Sequence, residues 1–160
     1  MEISDKIICL IRPPAAESIR FSMASVTLPL GLAYIVAALE RAGRLVQVVD
    51  AVGEAPSLKT KYFKGYLIGL RIPDIVKRIP AEAQAVGISV VFTHEWPFAT
   101  QLVEAIKTAR PDLPVILGGE HISSLPEFCL ATSRADYLVL GEGEETIVAL
   151  VDAIDGHRQL

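Results

Sequence analysis

The sequence predicts an α/β protein built on a doubly wound sheet of five parallel strands. Short apolar runs of strand length alternate with amphipathic helical patterns along the chain, which is typical of parallel strands joined by helical crossovers. Hydrophobic residues make up 51% of the 160 residues, and the mean hydropathy is +0.42. Such an apolar composition is expected where strands are buried on both faces of a sheet.

Each element is predicted from an apolar run and from the residues that stop it. The predicted strands are 6–11, 45–49, 86–92, 115–117 and 137–140. The predicted helices are 30–42, opened by Pro29 and closed by Gly43, then 74–79, 98–109, 125–132 and 144–154. The segment up to Thr27 shows no clear period, and the weak pattern from 51 to 72 indicates a loop or a short hairpin that carries aromatic residues. Five strands in this arrangement favour the flavodoxin-like (Rossmann-like) order 2-1-3-4-5.

Length and composition narrow the class of protein. Residues 1–160 are long enough for a single domain with its own core, and the polar tail 155–159 indicates one module, the N-terminal one, of a longer protein. No basic leader opens the chain, and the longest apolar stretch is too short to cross a bilayer, so we expect a cytoplasmic protein without a membrane partner. The net charge of −4, without a Lys/Arg cluster, argues against nucleic acid.

The segment 115–126, VILGGEHISSLP, indicates a ligand site. Its apolar run stops at Gly118 and Gly119, where something can approach the backbone closely, and ligands of open α/β sheets bind at such strand ends. The dinucleotide and P-loop glycine motifs are absent. Carboxylates in the loop 141–145 disfavour a polyphosphate at that helix start. We therefore expect a large, mostly neutral ligand with hydroxyl or amide groups.

Motif spacing identifies a family. The run Ser89-Val90-Val91, followed after residues 92–117 by Gly118-Gly119, resembles the cobalamin-binding domains of methionine synthase and the B12-dependent mutases. Together with LPLGLAY at 28–34, GISVV at 87–91, GGEH at 118–121 and GEGEET at 141–146, it is similar to the N-terminal half of cobalamin-dependent radical SAM proteins. Those proteins include many methyltransferases, and the resemblance covers nearly the whole chain.

The resemblance implies a cofactor, cobalamin, bound as methylcobalamin or hydroxocobalamin. Ser89, Gly118 and Gly119 would then shape a channel for the dimethylbenzimidazole tail, and the segment 93–96 would face the lower side of the corrin ring. The residues that the resemblance assigns to cobalamin binding are Pro13, Pro14, Gly31, Ser89, Val91, Phe92, Thr93, His94, Glu95, Trp96, Gly118, Gly119, Glu120, His121, Gly141, Glu142 and Gly143.

The chain departs from these families in two places. After strand one it has Arg12-Pro13-Pro14, without the histidine that coordinates cobalt in methionine synthase, so cobalamin is expected base-off and His-off. His94 is the alternative cobalt ligand. The radical SAM motif Cys-x-x-x-Cys-x-x-Cys is also absent, so S-adenosylmethionine and a [4Fe-4S] cluster would belong to a separate radical SAM domain, in cis or in trans.

Other interpretations of the same residues stay open at this stage. The fold could serve as a flavodoxin-like binding or receiver module without B12, or His94, Glu95 and His121 could form a metal-dependent hydrolase site. Trp96 could be a wall of the corrin site or could simply pack in the core. The aromatic residues Tyr62, Phe63 and Tyr66 could cap the cofactor edge or could equally be core residues.

Overall fold

A computed structural model describes residues 7–18 and 27–156, and it contains the expected parallel sheet. The strands of this main sheet are β1 (Ile7–Arg12), β3 (Leu45–Asp50), β6 (Ala83–Ser89), β7 (Val115–Gly118) and β8 (Tyr137–Val139). They lie in the order β3-β1-β6-β7-β8, and every neighbouring pair is parallel. Counted along the chain, this is the predicted order 2-1-3-4-5, so the predicted fold class is confirmed.

Helices cover both faces of the main sheet. The helices are α1 (Leu30–Arg41), α2 (Ala51–Glu54), α3 (Ile72–Arg78), α4 (Trp96–Ala109), α5 (Glu120–Ser124), α6 (Pro126–Ala131) and α7 (Glu144–Ile154). Helices α1 and α7 bury Leu39 and Ile147 with Ile116 on one face. Helices α3 and α4 bury Ile75 and Leu102 on the other. None of the helices in the described part of the chain is long and apolar enough to cross a membrane.

Two predicted elements differ in detail from the structure. Strand three was expected to run to residue 92, but β6 ends at Ser89, and a 3-10 turn (Thr93–Glu95) leads into α4. The helix expected over 125–132 is present as α6, and a short helix that was not predicted, α5, precedes it. The two helices are separated at Leu125, which has φ −138° and ψ 54°. It precedes Pro126, whose ring disfavours helical backbone in the residue before it.

A second, antiparallel sheet lies beside the carboxyl ends of the main strands. It consists of β2 (Ala15–Ser18), β4 (Lys59–Tyr62) and β5 (Gly65–Ile68), in the order β2-β5-β4. Strands β4 and β5 form the hairpin that the sequence indicated within residues 51–72. The strand β2 was not predicted, because four residues without alternation carry no strand signal until β5 offers them a paired edge.

An ion pair between a buried lysine and a more exposed aspartate holds the start of β7. The Lys107 ammonium lies 2.6 Å from the Asp136 carboxylate and donates to the Leu113 carbonyl at 3.0 Å. The same Asp136 oxygen accepts a hydrogen bond from the Val115 backbone N–H at 2.7 Å. Lys107 therefore connects α4, the turn before β7 and the first residue of that strand, whose far end reaches the candidate site.

We predict that Lys107→Met lowers the free energy of unfolding by about 2 kcal/mol, because it leaves Asp136 and the Leu113 carbonyl without their charged partner. Urea denaturation monitored by circular dichroism measures this. Arg134→Met is the matched control, since the Arg134–Glu104 pair is exposed and should contribute less than about 0.5 kcal/mol. Equal losses for the two variants would contradict the assigned anchoring role.

Candidate cofactor-binding site

Two adjoining cavities open at the carboxyl edge of the main sheet, where the sequence placed the site. The narrow cavity, of about 220 Å³, lies among the strand ends, α1 and α7. The wide cavity, of about 850 Å³, lies between the β4–β5 hairpin, the start of α1 and the turn after β6. Gly31, Leu32, Ser89 and Val91 line both cavities, so the two cavities share a wall.

Glycines line much of the narrow cavity. The glycines along its walls are Gly31, Gly87, Gly118, Gly119, Gly141 and Gly143. An added Cβ at Gly87 would lie 2.7 Å from the Leu10 Cδ2 atom, and one at Gly143 would lie 3.0 Å from the Ile35 Cδ1 atom. Side chains at these positions would therefore crowd the apolar walls or fill the space between them. At Gly87 and Gly143, the space of the cavity therefore depends on the absence of a side chain.

Several residues of this cavity were not predicted from the sequence. Gly87 is one, although an isolated glycine within an apolar strand is a known sign of close approach by a ligand or another backbone. Ile35, Ile116 and Ile147 also line the cavity. In the sequence these residues have the pattern of ordinary core residues. No sequence signal distinguishes an apolar residue that lines a cavity from one that packs in the core.

Gly118 and Gly119 differ in the reason for which a glycine is needed. At Gly118, an added Cβ would make only ordinary contacts, 3.6 Å from the Val139 carbonyl oxygen. At Gly119 the backbone has φ +113°, and an added Cβ would lie 2.5 Å from the Val90 carbonyl oxygen. Gly119 is thus required by the turn between β7 and α5 itself, whereas Gly118 leaves room that opens into the cavity.

We predict that Gly119→Ala lowers the free energy of unfolding by about 2–3 kcal/mol, because alanine disfavours this φ and clashes with the Val90 carbonyl. Gly118→Ala is the adjacent control and should change it by less than about 1 kcal/mol. Thermal and urea unfolding of the two variants provide the comparison. A Gly119→Ala protein as stable as the Gly118→Ala protein would show that the turn tolerates a side chain.

The turn after β6 lines one side of the wide cavity with Phe92, His94 and Glu95, and we refer to this side as its floor. The rings of Phe92 and His94 stack with centroids 5.4 Å apart and planes 16° from parallel. The Glu95 carboxylate accepts a hydrogen bond from the Phe92 backbone N–H at 3.3 Å, which closes the turn. Burial raises the pKa of Glu95, against the opposing effects of that bond and of the His94 and Arg12 charges. The floor is therefore largely aromatic, with one carboxyl group whose charged form is disfavoured.

Arg12 lines the wide cavity at the end of β1. In the methionine synthase family, the histidine that coordinates cobalt follows this strand. Its guanidinium donates to the Thr27 carbonyl at 2.7 Å and to Asp50, whose carboxylate lies 3.3 Å away. Pro13 lines the cavity next to it. The Arg12 guanidinium is thus already bonded within the protein. Its ion pair with Asp50 connects the ends of β1 and β3, where Arg12 and Asp50 lie opposite each other in the strand register.

Five of the expected site residues line neither cavity: Pro14, Thr93, Trp96, Glu120 and His121. Trp96 is 7% exposed and belongs to the core under α4, which is the packing role that the sequence left open. His121 is 2% exposed; its ring centroid is 5.1 Å from that of Trp96, and its Nδ1 lies 3.2 Å from the Thr93 hydroxyl. Burial lowers the pKa of His121, so the neutral imidazole is favoured. His121 supports the turn after β6 from behind.

The arrangement does not favour a hydrolase metal site. His94 lines the wide cavity, whereas His121 lies in the core against Trp96. Within residues 7–18 and 27–156, no group of three or more His, Cys, Asp or Glu side chains is placed to hold a metal ion. Cys9 and Cys129 are both buried and free, and burial raises the pKa of the Cys9 thiol to about 12.

Comparison with known proteins decides the family. A family model described as a B12 binding domain matches residues 18–151. The chain belongs to the B12-binding domain family. The family assignment supports cobalamin as the ligand of this domain.

Two curated relatives are methyltransferases. This B12-binding domain is 31% identical over 154 residues to cytidylyl-2-hydroxyethylphosphonate methyltransferase from Streptomyces wedmorensis, covering 92% of this chain and 28% of that one. It is 29% identical over 155 residues to an uncharacterized methyltransferase from Pyrococcus horikoshii, covering 96% of this chain and 30% of that one. The chain thus spans less than a third of the length of these two relatives.

Solved structures support the fold of the B12-binding domain. A CheY-like protein, TadZ, from Pseudomonas aeruginosa PAO1 matches with a TM-score of 0.61 at 14% identity, covering 94% of this chain and 99% of that chain. A response regulator receiver protein from Sinorhizobium medicae WSM419 matches with a TM-score of 0.54 at 14% identity, covering 96% and 98%. At such identity the likeness concerns the fold alone.

Proposed function

We propose that this domain binds cobalamin as the methyl carrier of a methyltransferase, with the tail of the cofactor in the narrow cavity and the corrin ring over the wide one. The observation that carries the proposal is that a narrow and a wide cavity adjoin and share Gly31, Leu32, Ser89 and Val91 in their walls. Empty apolar cavities of about 150 Å³ accept benzene, so about 220 Å³ suits a larger planar base. When bound, cobalamin supplies a cobalt centre that can carry a methyl group.

Residues of the narrow cavity would hold the tail. Gly87 and Gly118 leave space between the ends of β6 and β7, and Ser89 lies opposite Gly118 in the strand register. Glu142 lines the same cavity and is exposed, so its carboxylate can accept hydrogen bonds from the amide groups at the corrin edge. The Gly141 backbone N–H is already bonded to the Ser123 hydroxyl at 2.9 Å, which holds the loop in place.

The lower face of the corrin ring would meet a floor without a protein ligand to cobalt. The end of β1 offers Arg12, which is already paired with Asp50, and two prolines. The floor itself offers the stacked rings of Phe92 and His94. With its dimethylbenzimidazole base in the narrow cavity, cobalamin would be held base-off, and the stacking of His94 on Phe92 favours the His-off form. The geometry of the stack supports the version without a histidine ligand.

The partner of this domain would be a radical SAM domain in cis or in trans. Support comes from the motif resemblance and from the two methyltransferase relatives, of which this chain covers 28% and 30%. S-adenosylmethionine and a [4Fe-4S] cluster would be bound there, because this chain lacks the Cys-x-x-x-Cys-x-x-Cys ligands. The methyl acceptor would also be chosen in that partner domain. The present domain would position the cofactor and define its axial surroundings.

A receiver function is not supported by these residues, although the fold resembles receivers. Phosphorylation of a receiver needs an acidic cluster after the first strand and an aspartate after the third. In their places stand Arg12-Pro13-Pro14 and the segment 90–94, VVFTH.

We predict that the purified protein retains hydroxocobalamin after desalting and that Gly118→Leu abolishes this retention, because the leucine side chain would project into the narrow cavity. The visible spectrum of the desalted protein measures the bound cofactor. Thr146→Leu, which adds a similar side chain at an exposed position of α7, is the matched control and should retain cobalamin. No retained cobalamin in the unaltered protein would refute the proposed function, and retention by Gly118→Leu would refute the placement of the tail.

We predict that His94→Ala leaves the base-off visible spectrum of the bound cofactor unchanged, since the His94 ring stacks on Phe92 and is not needed as a cobalt ligand. Spectra of the cobalt(III) and cobalt(II) forms, and electron paramagnetic resonance of the latter, report the axial ligand directly. A shift of these spectra in the variant would instead identify His94 as the lower ligand.

A further inference from the structure

The tip of the β4–β5 hairpin holds an aromatic residue in an unfavourable conformation. Phe63 has φ +48°. Among the residues that the structure describes, it is the one residue other than glycine that has a positive φ. A bulky side chain at positive φ is disfavoured, and glycine is the ordinary residue at such a turn. Phe63 is nevertheless 74% exposed, so burial of its ring in the protein does not offset the strain. The conformation indicates that the ring serves a purpose at this place.

The hairpin tip lies at the wide cavity, which indicates a role for the Phe63 ring there. Residues Tyr62 to Gly65 line the wide cavity, together with Phe92 and His94 of the turn after β6. The Tyr62 and Phe63 rings meet edge to face, with centroids 4.7 Å apart and planes 76° from parallel. Tyr62 in turn packs against the main core, which gives the exposed ring a fixed neighbour. An apolar ring is thus presented at the rim of the cavity on a supported strand end.

We propose that Phe63 is a cofactor-contact residue that packs against the edge of the corrin ring and closes the wide cavity on its hairpin side. The proposal rests on the proposed function, since the corrin ring is the occupant. The periphery of a corrin carries methyl groups and amide side chains, so an aromatic ring can bury apolar surface against it. The neighbouring Lys64 also lines the cavity, and its ammonium can donate to amide carbonyl oxygens.

The backbone conformation makes a sharp test possible. Phe63→Gly removes the ring and at the same time relieves the strain at positive φ, so the cofactor-free protein should be as stable as the unaltered one or more stable. A role in folding would predict the opposite. Tyr66→Ala is the matched control, because Tyr66 is 42% exposed on the same hairpin but does not line the wide cavity.

The experiment is a spectroscopic titration of the cofactor-free proteins with hydroxocobalamin, combined with thermal unfolding of each. Phe63→Gly should raise the Kd about tenfold without a fall in Tm, whereas Tyr66→Ala should leave the Kd within about twofold. Phe63→Tyr, which keeps an aromatic ring, should restore most of the affinity. Phe63→Leu provides a second variant if the glycine loosens the hairpin: it keeps the turn occupied and should bind with intermediate affinity.

The outcomes separate this inference from the proposed function. Binding of hydroxocobalamin by the unaltered protein with an unchanged Kd in Phe63→Gly and Phe63→Leu would overturn the role of Phe63 alone. A fall in Tm that accounts for the lost affinity, without rescue by Phe63→Tyr, would assign the ring to folding and overturn it as well. Failure of the unaltered protein to bind would overturn both proposals.

Discussion

The register of the buried parallel strands is the constraint on which the site depends. Strand β6 lies between β1 and β7, and its last residue, Ser89, pairs with Gly118 at the end of β7. All three strands therefore end at one edge, where Ser89 of β6 and Gly118 of β7 present a short side chain and no side chain to the narrow cavity. A shift of one residue would turn each side chain to the other face of the sheet. Core side chains would then fill the narrow cavity, and the core on the other face of the sheet would lose those side chains.

The loops at that edge are held mostly by backbone contacts. The Val90 N–H donates to the Gly118 carbonyl at 2.8 Å, and the His121 N–H approaches the Val90 carbonyl at 3.3 Å. These bonds join the exits of β6 and β7 at the point where Gly119 turns the chain into α5. His121 and Trp96 fill the space behind the loops, so the aromatic floor of the wide cavity stands on a packed base. These contacts hold the loops around the two cavities in place.

Sequence reasoning recovered the strand order, the hairpin region and the glycine-bearing loops, because each leaves a local signal: apolar runs, aromatic spacing, or glycine at a strand end. Sequence reasoning could not show that Trp96 and His121 line neither cavity, because neighbouring residues of a turn can face opposite sides of that turn. It also missed Gly87. Gly119 differs from Gly118 in its positive φ and in the Val90 carbonyl close to it, and neither property can be predicted from two adjacent glycines in a sequence.

The sequence by itself determined the doubly wound architecture and the family, because hydrophobic periodicity and motif order are properties of the chain in one dimension. Only the tertiary structure decided what the glycines do. It separated Gly118, which leaves the narrow cavity open, from Gly119, which the turn requires. It also brought the distant hairpin tip at Phe63 to the rim of the same site. The physical reason is that cavities and close approaches arise between segments far apart in the chain, and their shape depends on how the helices and the hairpin pack on the sheet.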